Sequence, residues 1–117
     1  MAGVVDVGAV TTALQHAPSR WLDVAKLPRL VLSPLSNCAH NLGNLFERLG
    51  QAELALLCAR QALAALQALL RYEPVADPLR FAMLLTTLSL RLSVMHQPVE
   101  ALTCADEAVR LCHSLEP

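Results

Sequence analysis

Aromatic side chains are scarce in this sequence: one tryptophan, one tyrosine and two phenylalanines make up 3% of its 117 residues. Strands favour aromatic and β-branched residues, so this scarcity argues against a sheet. Charge is sparse too. Asp, Glu, Lys and Arg reach 16%, with a net charge of −1 and both signs interspersed. Without a concentrated basic face, nucleic acid is not an expected partner. No GxGxxG, GxxxxGK[ST], GxSxG or HExxH occurs, and a non-enzymatic protein is expected.

Metal chemistry also lacks its signature. Cys38, Cys58, Cys104 and Cys112 form no CxxC pair. Cys38-Ala39-His40 and Cys112-His113 place soft ligands close in sequence, but helical neighbours one or two apart diverge. Structural zinc needs four convergent ligands at wider spacing. No metal and no cofactor is expected. Each cysteine lies in a Leu/Ala-rich helical pattern, where it should act as an inert small hydrophobe with a raised pKa.

Long uninterrupted apolar runs are missing. The strongest, Ala52 to Leu70, is broken by Glu53, Arg60, Gln61 and Gln67. A membrane span needs about 20 mostly apolar residues, so a buried amphipathic helix is expected and no membrane partner. Met1–Val10 is apolar but short, carries Asp6 and has no basic lead, unlike a secretory signal. Reduced thiols and a cytoplasmic location follow as expectations.

What is abundant is leucine and alanine, within a hydrophobic share of 55%. Both are strong helix formers, and together they point to an all-α fold. That share suffices for a folded core. It also leaves more apolar surface than a body of this size hides easily, so a covering partner is expected.

Proline and glycine divide the chain. Ser33-Pro34 reads as an N-cap followed by proline at the first helical position, with a helix to about Leu49. Gly50 supplies a tight turn. A second helix runs from near Ala52 to about Tyr72, closed by Glu73-Pro74. Asp77-Pro78 repeats the start signal for a third helix to about Met95. After His96-Gln97, a fourth runs from Pro98 to about Leu115. Leu42, Leu45, Phe46 and Leu49 fall at i, i+3, i+4 and i+7, as one helix face requires.

An internal repeat is the most informative feature. A shift of 46 positions superimposes Ala55 on Ala101, Leu56 on Leu102 and Cys58 on Cys104. Ala59 meets Ala105, Ala62 meets Ala108, Leu42 meets Leu88, Gly43 meets Ser89 and Leu49 meets Met95. Such a period marks stacked supersecondary units. Gly43, Ala55, Ala62, Ser89, Ala101 and Ala108 are the expected close crossings. Leu42, Phe46, Leu49, Leu88 and Leu92 are expected to fill the space between.

Leu42-Gly43-Asn44, Phe46, Leu49-Gly50, Ala55 and Ala62-Leu63 resemble one tetratricopeptide repeat in register. Leu88-Ser89, Leu92, Met95, Ala101-Leu102, Ala105 and Ala108-Val109 resemble a second, with His96 at the turn glycine and Pro98 opening its second helix. The period exceeds the usual unit of about 34 residues, so these would be long hairpins. The resemblance implies antiparallel helical hairpins stacked as a right-handed array of four to six helices. Residues 33–76 would be the first hairpin and 77–117 the second. Residues 1–32 would be an N-terminal helical segment, the remnant of a decayed repeat. Within it Val4–His16 reads as a helix, with Ala9 in register with Ala55, and Trp21–Leu32 as a helix or turn packed on the first hairpin.

In that family the first helix of each hairpin lines a groove for a peptide or partner helix. Carried onto this chain, the groove-facing residues would be Asn37, His40, Asn44, Glu47 and Arg48, then Met83, Thr86, Leu90, Ser93 and Val94. The amides suit a peptide backbone and Arg48 a carboxylate. The second set is mostly apolar and suits a hydrophobic segment. Several clustered cations would mark a clamp for an acidic terminus, and Arg48 is nearly alone. Glu100, Asp106, Glu107 and Arg110 read as a solvated face.

The expected function is a scaffold or adaptor that binds another protein or peptide. The alternative is a chaperone-like protein that shields an apolar segment of a client, and a compact bundle without a groove is a third possibility. Two repeats are fewer than the three or so that bury a repeat core. Self-association, or membership of a longer repeat array, is therefore expected.

Overall fold

A computed structural model describes residues 27–72 and 77–115. The expectations for Val4–His16 and Ala9 lie outside them, as does most of Trp21–Leu32. Four helices follow one another: α1 (Arg29–Arg48), α2 (Ala52–Leu69), α3 (Pro78–Val94) and α4 (Pro98–Ser114). Among the described residues there is no strand. The fold is all-α, an antiparallel hairpin of α1 and α2 followed by one of α3 and α4.

The helix ends show the local chemistry. Asp77 caps α3 by accepting a hydrogen bond from the Arg80 amide, and Pro78 occupies the first turn, as the sequence predicts. Ser33 is not a cap. The chain enters α1 at Pro28, five residues earlier, and Pro34 lies inside the helix. The ring removes one intrahelical bond. The carbonyl it frees belongs to Leu30, whose side chain is 86% exposed. The extra turn persists because Leu32 is buried in the core and the Arg80 guanidinium grips both the Oγ and the carbonyl of Ser33 at 2.9 and 2.8 Å. Tertiary contacts override the local start signal.

The two interhelical turns are the same structure 46 residues apart. Gly50 takes φ 74° and His96 takes φ 58°. The Gln51 amide donates to the Phe46 carbonyl at 2.8 Å, and the Gln97 amide to the Leu92 carbonyl at 2.9 Å. Gly50 and His96 donate likewise to Glu47 and Ser93.

The crossings inside the hairpins correspond as well. Gly43 packs against α2 so closely that a β-carbon there would stand 3.1 Å from that of Cys58 and 3.4 Å from the Ala55 carbonyl oxygen. At the matching point Ser89 has a hydroxyl, which donates to the Ala101 carbonyl at 2.8 Å. Ser36 donates to the Ala62 carbonyl, also at 2.8 Å. Ala55, Ala62, Ala101 and Ala108 are buried, as expected of close crossings. Phe46, Leu88 and Leu92 are buried and Leu42 is half-buried. Leu49, the C-cap of α1, is exposed.

Helix α2 is the centre of the molecule. It packs on α1 and α3, and two thirds of it is buried. By length and composition it would suffice to cross a membrane; here its apolar surface meets other helices. A core of Leu32, Ala59, Leu66, Leu84, Leu88 and neighbouring residues runs through all four helices.

Candidate functional site

The hairpins are joined by arginines on α3. Arg91 is the buried charged residue among the described ones. Its guanidinium donates to Asn44 Oδ1 at 2.8 Å and pairs with Glu47 at 2.6 Å, while its Nε has no partner. Eleven residues earlier Arg80 holds Ser33. Both contacts link residues 47 apart, so α1 and α3 run side by side in one direction. Across the other face Arg60 of α2 makes a two-pronged bond to Glu100 of α4, at 2.8 and 3.2 Å.

These cations shape the local electrostatics. His40 is half-buried and its Nδ1 has no partner. Desolvation lowers its pKa, and nearby Arg91 and Arg80 lower it further. Burial pushes the Cys58 thiol up to about 11 and raises Cys104 as well. The hydrogen bond from Arg60 lowers Glu100. Cys38 and Cys112, by contrast, lie on the surface. Among the described residues no three His, Cys, Asp or Glu side chains gather as metal ligands.

An open groove of about 400 Å³ lies between α3 and α4. Leu90 and Thr86 form one wall, Val109 and Cys112 the other, and Ala105 and Ala108 the floor. Leu90 is 61% and Val109 53% exposed. Shifted back by 46 positions, these six residues become Asn44, His40, Leu63, Leu66, Ala59 and Ala62. In the first hairpin α3 covers that groove: Ala59, Ala62, Leu63 and Leu66 are buried, and Asn44 is bonded to Arg91. Among the described residues, the second hairpin therefore presents, uncovered, the surface on which the first receives a helix.

The residues predicted from the sequence fall into three groups. Asn44 and Glu47 are engaged by Arg91, and His40 lies half-buried near them. Thr86 and Leu90 line the large groove. Asn37, Arg48, Met83, Ser93 and Val94 are exposed, and Val94 with Glu47 borders a smaller cavity of about 230 Å³ by Gly50. Arg80, Arg91, Ala105 and Val109 are not among the groove-facing residues that the resemblance implied. A separation of the repeat period plus one, which puts Arg91 opposite Asn44 and Arg80 opposite Ser33, was the available signal. Asp106, Glu107 and Arg110 do form an exposed set, with Arg110 at 2.9 Å from Asp106 and 3.8 Å from Glu107. Glu100 is exposed as well and also bridges to Arg60.

No family model, curated protein or solved structure matches this chain.

Proposed function

We propose that this chain is a non-enzymatic interaction module of tetratricopeptide-like design, which holds a helix of a protein partner between α3 and α4. The supporting observation is the groove of about 400 Å³, whose counterpart in the first hairpin is filled by α3. Its apolar walls suit the hydrophobic stripe of an amphipathic helix. Its alanine floor lets that helix approach closely. The same lining suits a chaperone-like role, in which the bound segment aggregates when the module is absent.

A photo-reactive amino acid at position 86, in the cells that make the protein, tests this reading. Irradiation is expected to give an adduct on a helical segment of a protein, and Leu90→Asp should abolish it. The reading is refuted if no adduct forms, or if Leu90→Asp leaves it unchanged.

A further inference from the structure

The free groove has a matching free helix face on the same chain. Along α1, Val31, Leu35, Cys38, Leu42, Leu45 and Leu49 recur at alternating intervals of four and three, which places them on one stripe. Val31, Cys38, Leu45 and Leu49 are exposed, and Leu35 and Leu42 are half-buried. A shift of 46 carries the last five onto Phe81, Leu84, Leu88, Arg91 and Met95. On α3 this stripe faces the first hairpin, as the reach of Arg91 to Asn44 shows, and Leu84, Leu88 and Arg91 are buried. Thus, among the described residues, no helix lies on the α1 stripe that matches the docking stripe of α3, and none lies in the groove of α3 and α4 that matches the docking groove of the first hairpin.

We infer that the occupant is α1 of a second copy of this chain, stacked head to tail. The inference rests on the reading that the groove takes a helix. Side-chain chemistry at the joint supports it. Inside the molecule Arg91 meets Asn44; at the matching joint between copies, Leu45 would meet Leu90, which are 48% and 61% exposed. Inside, Arg80 meets Ser33; between copies, Pro34 would meet Leu79, and both are exposed. Each polar pair is replaced by an apolar pair on both sides at once. A replacement on one side alone would have left a buried charge without a partner. The surface thiols fit the same register. Cys38 and Cys112 correspond to Leu84 and Leu66, both buried in one core, so the joint would bring the two cysteines into one apolar cluster. Such an interface joins two different surfaces, and it propagates unless it closes into a ring.

Sedimentation of the full chain over a concentration series, with Leu45→Asp and Leu90→Asp, provides the test. The unmodified chain is expected to grow beyond a dimer. Either substitution should weaken association by more than about tenfold, because a charge would enter an apolar joint. Circular dichroism verifies that both variants remain folded, their sites being exposed. Mixed together, the variants should form a one-to-one dimer, since one keeps an intact groove and the other an intact stripe. A short bismaleimide should join Cys112 of one copy to Cys38 of the next in the unmodified chain. A monomer at every concentration, a mixture that stays monomeric, or linkage of like cysteines only would overturn the inference. A photo-adduct at position 86 with a different protein, or with residues 1–26 of the same chain, would also overturn it. The adduct with a different protein leaves the helix-binding reading intact, whereas loss of every adduct removes both.

Discussion

His96 occupies a backbone conformation that suits glycine, and replacing it should stabilise the protein. Its φ of 58° lies in the left-handed region, at the turn position where the first hairpin has Gly50 at 74°. A β-carbon in that region costs about 1–2 kcal/mol. Glycine returns part of this through its greater freedom in the unfolded chain, about 0.4–1 kcal/mol. The net gain expected for His96→Gly is about 1 kcal/mol. With an unfolding entropy of about 2.1 cal/mol/K per residue, that raises Tm by about 4 °C for a chain of this length. Gly50→Ala is the mirror experiment. A β-carbon at Gly50 meets nothing within 4 Å, so its cost is backbone strain without a packing term. A loss of about 1 kcal/mol is expected. Urea and thermal unfolding followed by circular dichroism measure both. An unchanged or lower midpoint for His96→Gly would refute the equivalence of the turns, as would a gain for Gly50→Ala.

Arg91→Ala should cost about 2 kcal/mol by urea unfolding. It removes a buried stem and the donor of Asn44, while the largely exposed Glu47 regains water and keeps the loss below that of a fully buried pair. Arg91→Leu, which installs the residue found at the matching place on α1, should cost less than half as much. Ser89→Ala leaves the Ala101 carbonyl without its 2.8 Å donor and should cost about 1 kcal/mol in the same assay. His40 has a lowered pKa in the folded state, so the unfolded chain binds a proton first as pH falls. Stability should therefore decline as pH drops below about 6.5, down to the lowered folded pKa, and His40→Gln should flatten that decline. Maleimide labelling near neutral pH, mapped by mass spectrometry, should modify Cys38 and Cys112 first and Cys58 last, because burial holds its thiol near 11. Rapid labelling of Cys58 would contradict the close crossing at Gly43.

Much of the hairpin plan was legible because it depends on short-range chemistry. Asp77-Pro78 starts a helix by capping its own first turn, and Gly50 admits a left-handed turn without reference to distant residues. The 46-residue repeat identified the crossings, since a small residue is needed wherever two backbones approach. Ser33-Pro34 misled for the same reason. It has the form of a helix start, but the grip of Arg80 and the burial of Leu32 lie outside any local window. The family-based groove used one face of α1 and α3, and a single helix pattern does not say which of its polar residues a neighbour will occupy. Asn44 and Glu47 were taken up by Arg91 in this way.

The sequence by itself determined that the chain is helical, where its turns fall, and that the pattern of residues 33–76 recurs over residues 77–117. Leucine and alanine favour helix, proline and glycine end it, and periodic small residues record repeated close contacts. Only the tertiary structure decided which surfaces are spent and which remain. Equivalent residues acquire different fates according to whether a neighbouring helix lies over them: Leu66 is buried beneath α3, while its counterpart Cys112 faces solvent.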